Sequence, residues 1–176
     1  MCGINGFNLE DIDKIQLMNK TIKHRGPDDE GYFCSQGLSL GQVRLSIQDL
    51  SKAGHQPMKY DHLSVVFNGE IYNFKELKRQ LEVKGYKFKS NCDTEVILVS
   101  YLEWGENCVE KFNGMWAFCI HDSNSIKLFL SRDRFGKKPL YYYFKRGKFI
   151  FSSEIKAILK FGVKKEINRD SLNEFF

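Results

Sequence analysis

Residues 114–122 read GMWAFCIHD, and residues 126–132 read IKLFLSR. An antiparallel strand with one wet face alternates polar and apolar side chains. Met115 to Ile120 is apolar at every position, and Leu128 to Leu130 continues the pattern. Both faces of these strands must therefore be covered, one by a second sheet and the other by helices. The pattern predicts an α+β fold, a four-layer α/β/β/α sandwich of two antiparallel sheets.

The flanking segments supply the other strands and both helical layers. Short turns at Gln36-Gly37, Ser123-Asn124-Ser125 and Arg146-Gly147 separate strand-like runs, so the strands they join are antiparallel. GYFCSQGLSLGQVRLSI (31–47) reads as a hairpin, LSVVFNGEIYNF (63–74) as a strand ending at Asn68-Gly69, and PLYYYFK with KFIFSS as a second hairpin. In DIDKIQLMNKTI (11–22), Ile12, Ile15, Met18 and Ile22 share one helical face, with Asp11 as cap. FKELKRQLEVKGY (74–86) is helical, with Phe74, Leu77 and Leu81 inward, Asn73 as cap and Gly85 as stop. DTEVILVSYLEWG (93–105) is a more apolar and more buried helix. SEIKAILKFG and RDSLNEFF are further helices, and DLSKAGHQPMKYDH (49–62) has no period and reads as a loop. Repeats, low-complexity tracts and linkers are missing, so residues 1–176 form one domain.

Composition excludes several classes of protein. The sequence holds neither an apolar run of bilayer length nor a basic-then-apolar leader, which places the chain in the cytoplasm, away from membranes. Cys2, Cys34, Cys92, Cys108 and Cys119 form no Cys-x-x-Cys pair, and the four histidines are scattered, so no metal is expected. The net charge of +5 is concentrated in residues 134–169, where eleven Lys/Arg face only Glu154 and Glu166. There the basic residues interleave with aromatics, as on the outer edge of a sheet. No nucleic-acid motif accompanies them, so a solvated or domain-facing surface is expected rather than a nucleic-acid partner.

The chemistry begins at Cys2. A free cysteine titrates near 8.5 and an α-amine at about 7.7–8.0, so an amine on the same residue is a usable base near neutral pH. Removal of Met1 would leave thiol and amine together on Cys2, a nucleophile with its own general base. FNGE (67–70) offers oxyanion donors: the Asn68 side-chain amide and the Gly69 N–H, with no side chain on Gly69 to block approach. Arg44 in QVRLS can hold a carboxylate through two hydrogen bonds. Asp93 opens a helix, where it serves either as N-cap or as partner to a ligand ammonium. Taken alone, Asn68-Gly69 reads rather as a turn at a strand end, and Arg44 as an outward-facing strand residue.

Eight stretches in order carry a resemblance. They are MCGINGF, HRGPDDEG, RLSIQDLSKAGHQPM, VFNGEIYNFKEL, CDTEVIL, FNGMWAF, SRDRFGKKPLYY and FSSEIKAIL. Together they resemble the glutamine-hydrolysing domain of asparagine synthetases, a branch of the class II glutamine amidotransferases with the N-terminal-nucleophile hydrolase fold. The resemblance implies that Cys2 attacks the glutamine side-chain amide while its α-amine moves the proton. It implies that Asn68 and Gly69 bind the oxyanion, and that Arg44 holds the α-carboxylate, with the backbone around Ile47 and Gln48 lining the site. Glu70 and Asp93 would then position the α-ammonium and amide. The HRGPDD loop would pack near the nucleophile, with no chemical step assigned to Arg25.

The products would be glutamate and ammonia, with no cofactor in this domain. Family members continue into an ATP-dependent synthetase domain, the expected partner, which binds ATP and magnesium and makes asparagine from aspartate. No Ser-Gly-Gly type pyrophosphate loop occurs here, and the chain stops within an apparent helix at Glu174-Phe175-Phe176, as expected of an excised domain. The alternatives are the same glutaminase chemistry serving the amidation of another carboxylate, on a sugar or peptide, or a degenerate glutamine-sensing module. A homo-oligomer is compatible with all three.

Overall fold

In the computed structural model of the chain, β6 (Gly114–Asp122) shows why GMWAFCIHD is apolar throughout. Side chains alternate across a strand. Trp116, Phe118 and Ile120 enter one core with α2 (Phe74–Val83) and α3 (Asp93–Trp104). Ala117 and Cys119 enter another core, between the two sheets. The structure describes residues 1–46, 52–167, 169 and 174.

The first sheet has the order β2-β3-β1-β9-β8, with β1 (Gly3–Phe7), β2 (Asp29–Ser35), β3 (Leu38–Arg44), β8 (Tyr141–Lys145) and β9 (Lys148–Ser152). The second has the order β4-β5-β6-β7, with β4 (Met58–Tyr60), β5 (Leu63–Ile71) and β7 (Lys127–Arg132). All ladder pairings within both sheets are antiparallel. Helices α1 (Ile12–Thr21) and α4 (Ile155–Lys160) cover the outer face of the first sheet through Ile15, Met18, Ile22, Ala157 and Ile158. Ile4, Leu40 and Phe151 meet Val66, Ala117 and Cys119 between the sheets. Gly6 is required there, because a Cβ would run into the Phe151 ring and Leu40. The four layers are those expected.

Local expectations fare unevenly. Asp11 caps α1 by accepting from the Lys14 amide at 2.9 Å. Ile12, by contrast, is 46% exposed, because the sheet reaches only the Ile15–Met18–Ile22 stripe. Instead a polar link anchors α1: Asn19 accepts from Asn5 Nδ2 at 2.9 Å and donates to the Gln42 carbonyl at 3.1 Å. Asn73 occupies the N-cap position of α2, but its side chain bridges to the Asn113 amide and the Lys111 carbonyl. The Gln36-Gly37 and Arg146-Gly147 turns take positive φ, as the two hairpins demand. The segment read as a loop at 49–62 contains β4, a three-residue strand too short to show a period. The strand read as ending at Asn68-Gly69 continues to Ile71, since β6 pairs with it as far as Gly114. The RDSLNEFF helix lies outside the described residues apart from positions 169 and 174. Strand β8 is an edge of its sheet, as its charge pattern suggested.

Candidate active site

The ladder between β1 and β3 places the N-terminus. Gly3 pairs with Val43, so one step outward brings Cys2 opposite Arg44. The Leu45 amide donates to Cys2 Sγ at 3.4 Å, and the thiol reaches the Leu45 carbonyl at 3.6 Å. On the other side Arg25 Nε donates to the Cys2 carbonyl at 2.9 Å. Glu154 holds Arg25 in turn, accepting from Nη1 at 3.2 Å and meeting His24 Nε2 at 2.8 Å. Asp28 closes the clamp: its amide donates to the Arg44 carbonyl at 3.0 Å, and its carboxylate accepts from the Ser46 amide at 2.8 Å. The HRGPDD loop thus packs on the backbone of both Cys2 and β3.

The opposite wall comes from the end of β5, where β4 has already stopped. Strand amides alternate in direction. The Tyr72 amide points toward β6, donating to the Asn113 carbonyl, so odd-numbered amides of β5 point to the edge that β4 leaves bare. Two of them are taken by buried side chains: Gln56 Oε1 accepts from Phe67 at 2.6 Å, and Asp93 Oδ2 accepts from Ile71 at 3.0 Å. The amide between them, that of Gly69, points to the same edge. Glycine at 69 is demanded by β6, since a Cβ would collide with the Met115 carbonyl and Trp116 Cα. Asn68, on the alternate face, is 1% exposed, and its Nδ2 has no partner among the described residues. A buried amide without a partner costs free energy unless something binds there.

These groups share a cleft of about 110 Å³, lined by Cys2, Arg44, Asn68, Gly69, Glu70 and Asp93. Arg44 is 8% exposed, and its guanidinium lies so close to Gly54 that any side chain there would strike it. Asp93 is the first residue of α3, with Cys92 in the cap position, so the N-cap reading of Asp93 does not hold. Its carboxyl is lifted to about 6 by burial, against the Ile71 hydrogen bond and with the Glu70 charge adding to the rise. The structure therefore brings together Cys2, Arg44, Asn68, Gly69, Glu70 and Asp93, which lie far apart in sequence. Ile47 and Gln48 lie outside the described residues. Gln56, Thr94, Met115 and Lys138 also line the cleft and were not singled out. All four fall within the stretches that carry the resemblance, but nothing in residue type or spacing marks them as facing a cleft. Among the described residues no group of three or more His, Cys, Asp or Glu could hold a metal ion. None of their helices is long and apolar enough to cross a membrane.

Two facing antiparallel sheets between helical layers make the four-layer sandwich of the N-terminal-nucleophile hydrolase fold. The whole chain, residues 1–176, matches the family described as glutamine amidotransferase domain, and the chain belongs to that family. It is 46% identical to a putative glutamine-hydrolysing asparagine synthetase 2 of Methanocaldococcus jannaschii, covering 100% of this chain and 39% of that one. It is 39% identical to glutamine-hydrolysing asparagine synthetase 3 of Bacillus subtilis, covering 100% of this chain and 30% of the relative. The chain thus spans well under half the length of these relatives. In fold it is similar to the glutamine phosphoribosylpyrophosphate amidotransferase of B. subtilis, with a TM-score of 0.78 at 21% identity over 92% of this chain and 44% of that one.

Proposed function

We propose that the chain hydrolyses the side-chain amide of glutamine with Cys2 as N-terminal nucleophile, and that the ammonia serves an asparagine-forming synthetase domain acting on aspartate. The observation that carries this reading is the unpartnered Asn68 amide beside Gly69, in the cleft that also holds Cys2, Arg44 and the acidic pair. In this reading Met1 is removed, because the lone pair of an acylated Cys2 nitrogen is delocalised into the carbonyl and is not basic. The thiol proton passes to the freed α-amine, and sulfur adds to the amide carbon. The carbonyl oxygen becomes an oxyanion facing Asn68 Nδ2 and the Gly69 N–H. The C–N bond then breaks as the ammonium returns its proton to nitrogen, releasing ammonia and leaving a thioester. Water, giving its proton to the same amine, adds to the thioester carbon; the C–S bond then breaks, the ammonium returns that proton to sulfur, and glutamate leaves.

Arg44 takes the α-carboxylate, and Glu70 with Asp93 takes the α-ammonium. A charged pair at each end of a small polar substrate selects a free amino acid over a peptide-bound glutamine. The names of the relatives support asparagine formation as the destination of the nitrogen, and that step belongs to residues outside this chain. The test uses two preparations sorted by N-terminal mass spectrometry, one beginning at Met1 and one at Cys2. Only the second should turn glutamine into glutamate, and Cys2→Ala should be inert. Equal rates from the two preparations would overturn the nucleophile assignment.

A further inference from the structure

The turn after β7 is organised around one carboxylate. Asp133 accepts from the amides of Trp116 at 3.2 Å, Phe135 at 3.1 Å, Lys137 at 2.9 Å and Lys138 at 3.0 Å. Arg132 braces the same turn from outside, its Nε donating to the Lys138 carbonyl at 2.8 Å and its Nη2 to the Gly136 carbonyl. Gly136 takes a φ of +62° that lets the turn close. What this turn delivers is Lys138, 7% exposed, which lines the cleft together with Cys2, Asn68 and Met115. The placement is tied to the oxyanion strand: Trp116, which exchanges hydrogen bonds with Asp133, pairs with Gly69 across the ladder.

Among the described residues the Lys138 ammonium has neither an ion pair nor a hydrogen bond, and the nearby Asp133 carboxylate is already occupied by four amides. The ammonium is not fully desolvated, and a little-exposed cation beside a cleft favours an anion that forms there. Glutamine enters as a zwitterion with a neutral side-chain amide. Arg44 matches its carboxylate, and Glu70 and Asp93 match its ammonium. Lys138 matches a charge that exists only during reaction. We infer that Lys138 is a further functional residue of this site, a fixed positive charge for the anion that forms on Cys2 and then on the amide oxygen. The inference rests on the glutaminase reading above. Among the described residues, the other charged groups around Cys2 are its own amine, Arg25 from the turn after α1, Arg44 from β3, Glu70 from β5 and Asp93 from α3.

The experiment compares Lys138→Met, Lys138→Gln and Lys138→Arg in protein that begins at Cys2. It measures steady-state glutamine hydrolysis and the pH profile of Cys2 alkylation by iodoacetamide, followed by peptide mass spectrometry. The neutral variants should lose about 10- to 100-fold in kcat, with KM changed by less than about threefold, because the charge acts on the transition state. Their alkylation midpoint should move up by about one unit. Lys138→Arg should restore both. An unchanged kcat and alkylation profile overturns the inference, as does a raised KM at constant kcat. If both neutral variants fail to fold by circular dichroism, Lys138 is structural and the inference falls. Absence of glutaminase activity in the unmodified protein would defeat the functional reading instead, while the alkylation profile would still show whether Lys138 acts on the thiol.

Discussion

Replacing Asp93 by asparagine should make the protein more stable and less active. Asp93 is 6% exposed, and burial lifts its carboxyl from the usual 3.8 to about 6, opposed by the Ile71 hydrogen bond and reinforced by Glu70. Between these values the folded chain holds a proton that the unfolded chain has released, so stability falls as pH rises through about 4 to 6. A shift of this size corresponds to ~3 kcal/mol of lost stability at pH 7. Asparagine removes the charge and keeps an oxygen to accept from the Ile71 amide, and its NH2 group can face Glu70. Part of the gain returns as the cost of placing that NH2 group, leaving a net stabilisation of about 1–3 kcal/mol. Function moves the other way. Leaving a substrate ammonium short of one carboxylate costs about 2–5 kcal/mol, at least thirtyfold in kcat/KM. Urea titrations at pH 7 and pH 4 and steady-state glutaminase assays test both halves. The stability difference should be present at pH 7 and largely gone at pH 4. A variant less stable at pH 7, or stabilised equally at both pH values, would refute the electrostatic argument.

The other side chains of the cleft separate binding from chemistry. Asn68→Ala should lower kcat by about 10²–10³ with little change in KM, since the amide acts on an oxyanion absent from bound glutamine; steady-state kinetics would expose a pure KM effect if Asn68 only binds. Arg44→Ala should cost about 2–5 kcal/mol in kcat/KM, because a carboxylate loses its partner in a buried site. Gly54→Ala should reproduce part of that loss by displacing the Arg44 guanidinium, seen as a raised KM at near-normal kcat. Wild-type KM in Gly54→Ala would mean that the guanidinium position is not what sets glutamine affinity.

The unbroken apolar run from Met115 to Ile120 was enough to require cover on both faces of a strand, and the turn dipeptides were enough to make the sheets antiparallel. That reasoning holds because burial patterns and turn geometry are local and depend on a few neighbouring residues. The same locality explains the errors. Ile12 fits the helical period, but whether a face is buried depends on how far the sheet extends beneath it. β4 is three residues long and cannot show a period, and its early end is what frees the edge amides of β5.

The candidate site was legible only as separate residues. Cys2, Arg44, Asn68, Glu70 and Asp93 could each be named from motifs, but Arg44, Asn68 and Asp93 also had ordinary structural readings that spacing did not remove. Pairing of Gly3 with Val43, and of Gly69 with Trp116, brings them to one cleft, and such register is a property of partners tens of residues away. A backbone donor such as the Gly69 amide leaves no mark in the sequence. It is available because a neighbouring strand stops and because Gln56 and Asp93 occupy the amides on either side. Lys138 is likewise one lysine among many until the Asp133 turn brings it to the lining of the cleft. Residue types and periodicity thus determined which layers form and which chemistries were on offer. Which atoms face one another, and which polar groups are left without partners, was decided by the packing of the two sheets, because unmet hydrogen bonds and unpaired charges exist only once distant segments have removed the water.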